Sequence, residues 1–180
     1  KSTIDGKGVL NNRISEHILS NLNQIGIKNH LVKRLNMREQ LVKFVDIIPI
    51  EFIVRNIATG SLTKRLGIED GSVLEYPLIE YCLKNDKLGD PNISREHILA
   101  FNWLNSTQLD LIDENLKRLN DFLLGLFRGV GIKIVDFKDE EKVIKCSFEY
   151  LKDIISKDDD LLPLSLTAIK RLEKLTTVNK

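Results

Sequence analysis

The sequence predicts an α+β protein, and three observations carry the prediction. Residues 50–55, IEFIVR, alternate Ile50, Phe52 and Val54 with Glu51, Ile53 and Arg55, which is the period of a strand. Leu109, Ile112, Leu116, Leu119, Leu123 and Leu126 recur three and four apart, the spacing of a helix with one core-facing stripe. Hydrophobic content of 42% and charged content of 29% over 180 residues suit a globular chain of one domain, or one domain and a fragment of another.

The elements follow in chain order. DGKG at 5–8 reads as a turn feeding a helix in which Leu10, Ile14, Ile18 and Leu22 recur every fourth residue until Gly26. IKNHLVKRL, with apolar Ile27, Leu31 and Leu35, is open between strand and helix. From Leu41 to Ala58 the pattern is β, with Ile50, Phe52 and Val54 on a core face and Glu51 and Arg55 on the other. Pro49 marks an edge, a bulge or a strand start, since proline cannot donate to a ladder. Ser61 suits an N-cap and Gly67 a C′ position, so SLTKRL is expected to be a helix of one or two turns. Residues 72–84 look extended, and NDKLGDPN after them has loop chemistry. Ser94 can cap a short helix through Ala100, and Ser106 or Thr107 the long one, which Gly129 or Gly131 closes. IKIVDFK is expected to be a short strand ending in Asp136 and Lys138. The tail, 139–180, permits two helices broken by Asp158, Asp159 and Asp160. Trp103, Phe122 and Phe127 are assigned to the core.

Bulk properties exclude several function classes. With 27 basic and 26 acidic residues, net charge +1, no global field draws in nucleic acid or a membrane, so anion binding has to be local. No apolar run approaches the roughly 18 residues of a membrane span, and KSTIDGKG has no signal-peptide core. Cys82 and Cys146 lack CxxC spacing, and His17, His30 and His97 lack ligand spacing. The expectation is a soluble, cytoplasmic protein without a zinc or disulfide framework.

Directional chemistry concentrates in three places. Gly60 and Ser61 precede a helix whose first N–H groups are unpaired, and Arg55 enters from the strand before, able to clamp a phosphate bidentately. Lys64 and Arg65 are expected to add charge within the first turn; an ordinary capped helix with a solvated Lys-Arg pair accounts for the same residues. Glu51 shares the face of Arg55 and could orient it, bind a cation, contact a nucleotide, or simply make an ion pair. Lys84, Asp86, Gly89, Asp90 and Pro91 could hold an amine or a metal, or be a surface turn. Asp136 and Lys138 sit at a strand end, where charged residues face either ligand or water. DGKG lacks the GxxxxGK[ST] spacing of a P-loop.

In this order the pieces resemble the SAICAR synthetase family. GKGVLNNRIS (6–15), IIPIEFIVRNIATGSLTKRLGIEDG (47–71), YCLKNDKLGDPNIS (81–94) and GIKIVDFK (131–138) carry the resemblance, which runs over residues 1–138. It implies a two-lobed fold related to ATP-grasp and kinase architectures, N-terminally truncated, with a helical tail. Residues 1–48 would end the nucleotide-binding lobe, 49–138 would form the substrate domain, and 139–180 would be divergent. It further implies a ligase of purine biosynthesis that joins carboxyaminoimidazole ribotide to L-aspartate, using ATP with Mg²⁺. By matching motif, Arg55, Gly60 and Ser61 would hold the ribotide 5′-phosphate, and Lys84 and Asp90 would line the imidazole and aspartate side. Lys138 would approach the reacting or nucleotide phosphates, with Asp136 and Glu51 close to the nucleotide region. The expected partners are these small molecules and, as an open alternative, a second copy of the chain, but no nucleic acid and no membrane. Two departures stand out: the KLYEGKAK-type hairpin of the family lies before residue 1, and VDFK is followed by DEEKVIK where the family has LEFG. They support an alternative: an inactive or fragmentary relative that binds a phosphorylated ribotide or serves as a subunit partner.

Overall fold

The computed structural model describes residues 5–44 and 48–140. The helices expected in the tail, and the Asp158–Asp160 break between them, lie outside the described residues. The chain divides into two compact units, one holding residues 1–48 together with 140–180, the other Pro49–Asp139.

In the first unit, helix α1 (Lys7–Gln24) follows a turn at Asp5 and Gly6, and strands β1 (Leu31–Arg34) and β2 (Gln40–Val42) pair antiparallel. The open choice for IKNHLVKRL thus resolves as a strand over its second half. The buried face of α1 is Asn11, Ser15, Ile18, Leu19 and Leu22, whereas Leu10 is exposed, so the expected stripe is rotated by about one residue in the first turns. Polar ties explain the rotation. Asn12 Nδ2 donates to the Asn36 carbonyl at 3.0 Å, and Gln40 Nε2 to the Asn12 carbonyl at 2.8 Å, turning the Asn face toward the β1–β2 hairpin. Gly26 ends the helix as expected, at a φ of 79° that a glycine adopts without strain.

The second unit is built on a four-stranded sheet ordered β5 (Asn92–Ile93), β4 (Val73–Leu83), β3 (Ile50–Ile57), β6 (Asp136–Glu140). Strand β3 begins just after Pro49, as a residue without an N–H requires, and is interior to the sheet. It is buried on both faces rather than one. A register shift between Arg55 and Ile57 marks a bulge at Asn56, whose N–H and that of Ile57 both reach the Val135 carbonyl, at 2.8 and 3.2 Å.

Helices α2 (Ser61–Leu66), α3 (Arg95–Ala100) and α4 (Ser106–Arg128) complete the unit. Ser94 caps α3 as expected, and His97 closes a capping box with it, which gives that histidine a structural role. The cap of α4 is Asn105, one residue before the expected Ser106, because its side chain accepts from Gln108 N while Gln108 returns the bond. Leu109, Ile112, Leu116, Leu119 and Leu123 form the buried stripe. Three further expectations are corrected. The last strand starts rather than ends at Asp136, because Val135 meets β3 at the bulge, where its carbonyl takes two N–H groups, and regular pairing begins after it. Trp103, Phe122 and Phe127 are half-buried at the periphery, and Trp103 stacks on exposed Phe101 at 5.2 Å between centroids. Ser61 is the first residue of α2, and Gly60 is its N-cap.

Candidate functional site

Opposed residues of an antiparallel pair share a face, so the β3–β4 register sorts the sheet. Phe52 opposes Tyr81 and Val54 opposes Ile79 on one face. Tyr81 donates its O–H to Asp113 of α4 at 2.8 Å, and Asn56 and Asn120 exchange amide hydrogen bonds at 2.9 and 3.0 Å, so α4 covers that face. On the other face Glu51 opposes Cys82, Ile53 opposes Glu80 and Arg55 opposes Leu78. Asp136 and Lys138, two apart on β6, join that face beside β3.

Arg55 is the hub of the charged face. Its Nε donates to Glu80 Oε2 at 2.6 Å, Nη1 to Asp136 Oδ2 at 3.3 Å and Nη2 to Ser61 Oγ at 3.1 Å. Only 5% of the residue is exposed, so the guanidinium is anchored by directed bonds rather than by water. Glu80 also receives Arg65 Nη2, and Arg65 Nη1 donates to Asn92 Oδ1 at 2.6 Å. Glu51, 2% exposed, accepts from Lys138 Nζ at 2.9 Å. Three cations thus face three carboxylates, as burial demands. Cys82 lies among them, and burial, followed by the negative charge of Glu51, pushes its thiol pKa above the ordinary value. On the opposite face of the sheet, burial raises the Tyr81 pKa and then its hydrogen bond to Asp113 raises it further. Burial also raises Asp113, although Tyr81 and Arg95 both favour its ionised form.

The local sequence explains the Ser61 placement. Gly60 at φ 62° and ψ −120° lets the chain fold back from β3 into α2, and the Ser61 hydroxyl then points to Arg55 rather than to its own helix N–H groups. Arg65 sits in the last turn of this six-residue helix and is held by Glu80 and Asn92; the sequence had suggested a first-turn charge.

Lys84 and Asp90 occupy a second cluster, in the loop after β4. Lys84 Nζ lies 3.5 Å from Asp86 Oδ1 and 3.7 Å from Asp90 Oδ2, and the Lys84 N–H donates to the Pro49 carbonyl, tying the loop to the start of β3. Asp90 takes φ 49° and accepts the Asn85 N–H at 2.8 Å, so it is fixed by the loop it closes. The structure therefore gathers Glu51, Arg55, Ser61, Asp136 and Lys138 on one face and places Lys84 and Asp90 at the Pro49 end of β3. Sequence reasoning missed Glu80 and Asn92. Their signal was an isolated carboxylate inside the extended run PLIEYCL and an Asn after Pro91, neither meaningful without the register. An open cavity of about 350 Å³ runs along β4 and β5, lined by Arg65, Glu80, Tyr81, Asn92, Ser94 and Arg95 among others. Among the described residues no group of three or more His, Cys, Asp or Glu is placed to hold a metal ion, and no helix is long and apolar enough to cross a membrane.

This arrangement is the fold of the solved SAICAR synthetases. The phosphoribosylaminoimidazole-succinocarboxamide synthase of Ehrlichia chaffeensis matches with a TM-score of 0.76 and 42% identity, over 92% of this chain and 65% of that one. A SAICAR synthetase solved in complex with ADP matches with a TM-score of 0.71 and 28% identity, over 99% of this chain and 84% of that one. The family model described as SAICAR synthetase matches residues 1–160, and the chain belongs to that family. A phosphoribosylaminoimidazole-succinocarboxamide synthase of Pelagibacter ubique (strain HTCC1062) is 65% identical over 177 residues, 97% of this chain and 68% of the relative. The chain spans about two thirds of the length of these two synthases.

Proposed function

We infer that the chain carries the ribotide side of an ATP-dependent carbon–nitrogen ligase that joins carboxyaminoimidazole ribotide to L-aspartate, giving SAICAR, ADP and phosphate. One observation supports it most: Arg55 is held rigidly beside Ser61, where a strand end, a helix start and a second strand converge. A guanidinium has five N–H donors, and three are used by Glu80, Asp136 and Ser61, leaving two for an oxyanion. In this reading Arg55, Gly60 and Ser61 take the ribotide 5′-phosphate, with the Ser61 hydroxyl and nearby backbone adding donors. Lys84 and Asp90 face the imidazole and aspartate. Asp136, Lys138 and Glu51 lie toward the reacting phosphates. Residues 1–48 belong to a nucleotide lobe and 49–138 form the substrate domain.

A carboxylate is a poor acyl donor. In the proposed reaction a ribotide carboxylate oxygen takes the γ-phosphoryl group of ATP, and ADP leaves. The aspartate amine then attacks the acyl carbon, its nitrogen loses a proton, and phosphate departs. Cations placed where charge develops on the transferring phosphoryl group carry most of such catalysis. Lys138 is suited to that role because its half-buried side chain is held on the charged face by Glu51. ATP use is supported by the relative solved with ADP. Mg²⁺ would enter as the partner of the nucleotide phosphates, and among the described residues no group of three or more His, Cys, Asp or Glu is placed to hold it. A cytoplasmic location and self-association are part of the same proposal.

The test is a coupled ADP-release assay with the full-length protein, in which turnover requires ribotide, L-aspartate and Mg-ATP together. Release without aspartate, or none with all three, overturns the assignment. The second outcome, combined with ribotide binding by titration calorimetry, would favour a binding protein without catalysis.

A further inference from the structure

We propose that Glu80 is a positioning residue, orienting Arg55 for a phosphate, and that Arg65 offsets the charge Glu80 brings. The inference rests on the proposed ribotide-phosphate role of Arg55.

Glu80 lies on β4, opposite Ile53, and its two oxygens are divided between two guanidiniums: Oε2 takes Arg55 Nε, and Oε1 takes Arg65 Nη2. Its side chain is 9% exposed, so the carboxylate is largely withdrawn from water. Of the three bonds that fix the Arg55 plane, the one from Nε is the shortest and lies nearest the aliphatic stem. It determines where the two Nη groups point, because a guanidinium is planar and rigid. A carboxylate beside an anion site also repels the anion. Arg65 neutralises that charge on the far side, and Asn92 Oδ1 steadies Arg65 at 2.6 Å. Arg65 is only partly buried, with a 38% exposed side chain along the β4–β5 cavity, so it completes the pair from the solvent side. A chain of Arg55, Glu80, Arg65 and Asn92 thus couples the helix after β3 to the sheet edge and leaves Arg55 as the cation an incoming phosphate meets.

The test compares binding of 5-aminoimidazole-4-carboxamide ribotide with that of its dephosphorylated riboside by titration calorimetry, because the ratio isolates the phosphate. In wild type the ribotide binds more tightly, and Arg55→Ala abolishes the preference. Glu80→Ala is expected to reduce the preference about tenfold or more, the size of one lost charge-assisted bond. Glu80→Gln, which keeps an acceptor for Arg55 Nε, recovers part of it. Arg65→Gln lowers the ribotide affinity severalfold, more at low salt, with little change for the riboside. If Glu80→Ala and Glu80→Gln both keep the wild-type preference while Arg55→Ala loses it, the positioning role is wrong and the phosphate site stands. A Glu80→Ala protein too unstable to titrate leaves the Gln and Arg65 variants to decide, and retention of full preference in both overturns the inference. Absence of any preference in wild type removes the phosphate site and the inference with it.

Discussion

Arg55 illustrates how a residue can be structurally expensive and still favoured at a site. An arginine 5% exposed is held by two carboxylates and a hydroxyl, and loss of those partners would leave a buried charge unpaired. Arg55→Ala is therefore expected to weaken ribotide binding about tenfold to a hundredfold, while Mg-ATP affinity stays nearly unchanged. Equal loss of both ligands in calorimetry would contradict the placement of Arg55 on the ribotide side. Cys82 tests the electrostatics of the same face without any ligand. Its thiol is buried and its pKa is raised, first by burial and then by Glu51, so the thiolate fraction at pH 8 falls below that of an ordinary cysteine. Iodoacetamide at pH 8 should leave Cys82 unmodified in the folded protein and label it after urea denaturation, as read by peptide mass mapping. Rapid labelling of the native protein would show that face to be open.

Among the elements, α2 depends on its entry more than on its length. Six residues make a marginal helix, and Gly60 provides a backbone conformation that other residues reach only under strain. A Cβ added at Gly60 meets nothing within 4 Å, so Gly60→Ala pays in backbone strain alone. The expected destabilisation is about 1–3 kcal/mol by urea unfolding, with weakened ribotide binding because Ser61 shifts. An unchanged midpoint would mean that the turn relaxes freely. Helix α4 is registered on the sheet by the fully buried Asn120, whose amide is satisfied by Asn56. Asn120→Ala should cost about 1–3 kcal/mol, since it strands the Asn56 amide. The Asn56→Ala/Asn120→Ala double variant should cost less than the sum of the singles, and additivity would show the pair to be uncoupled.

At the scale of the whole molecule, protection should follow the sheet order. Strand β3 is interior and buried, whereas β1 and β2 form a two-stranded sheet with largely exposed residues. Amides of Phe52 and Val54 should exchange at the rate of the deepest opening of their unit, and those of β1 and β2 well before, by hydrogen exchange with mass spectrometry. Faster exchange in β3 than in β1 would reverse that ranking. Much of this was legible in the chain. The alternation at 50–55, the leucine spacing of 109–123, Gly67 after SLTKRL and Ser94 before REHILA all declared local structure, because period and capping act over a few neighbouring residues. The motifs around IEFIVRNIATGSLTKRLG also carried the family resemblance and its candidate residues. Partnership was not legible. The sequence offered Glu51 and Arg55 as neighbours on one strand face, and only the strand order gave Glu51 to Lys138 and Arg55 to Asp136, more than eighty residues away. Glu80 and Asn92 stayed silent for the same reason, as did the rotation of the α1 face by polar ties to the hairpin. By itself the sequence determined the local elements and which charged residues stand at β3 and its turn, because short-range periodicity and backbone preference need no distant partner. Tertiary structure alone decided which charge neutralises which, because burial forces a pairing that only strand order and register can choose.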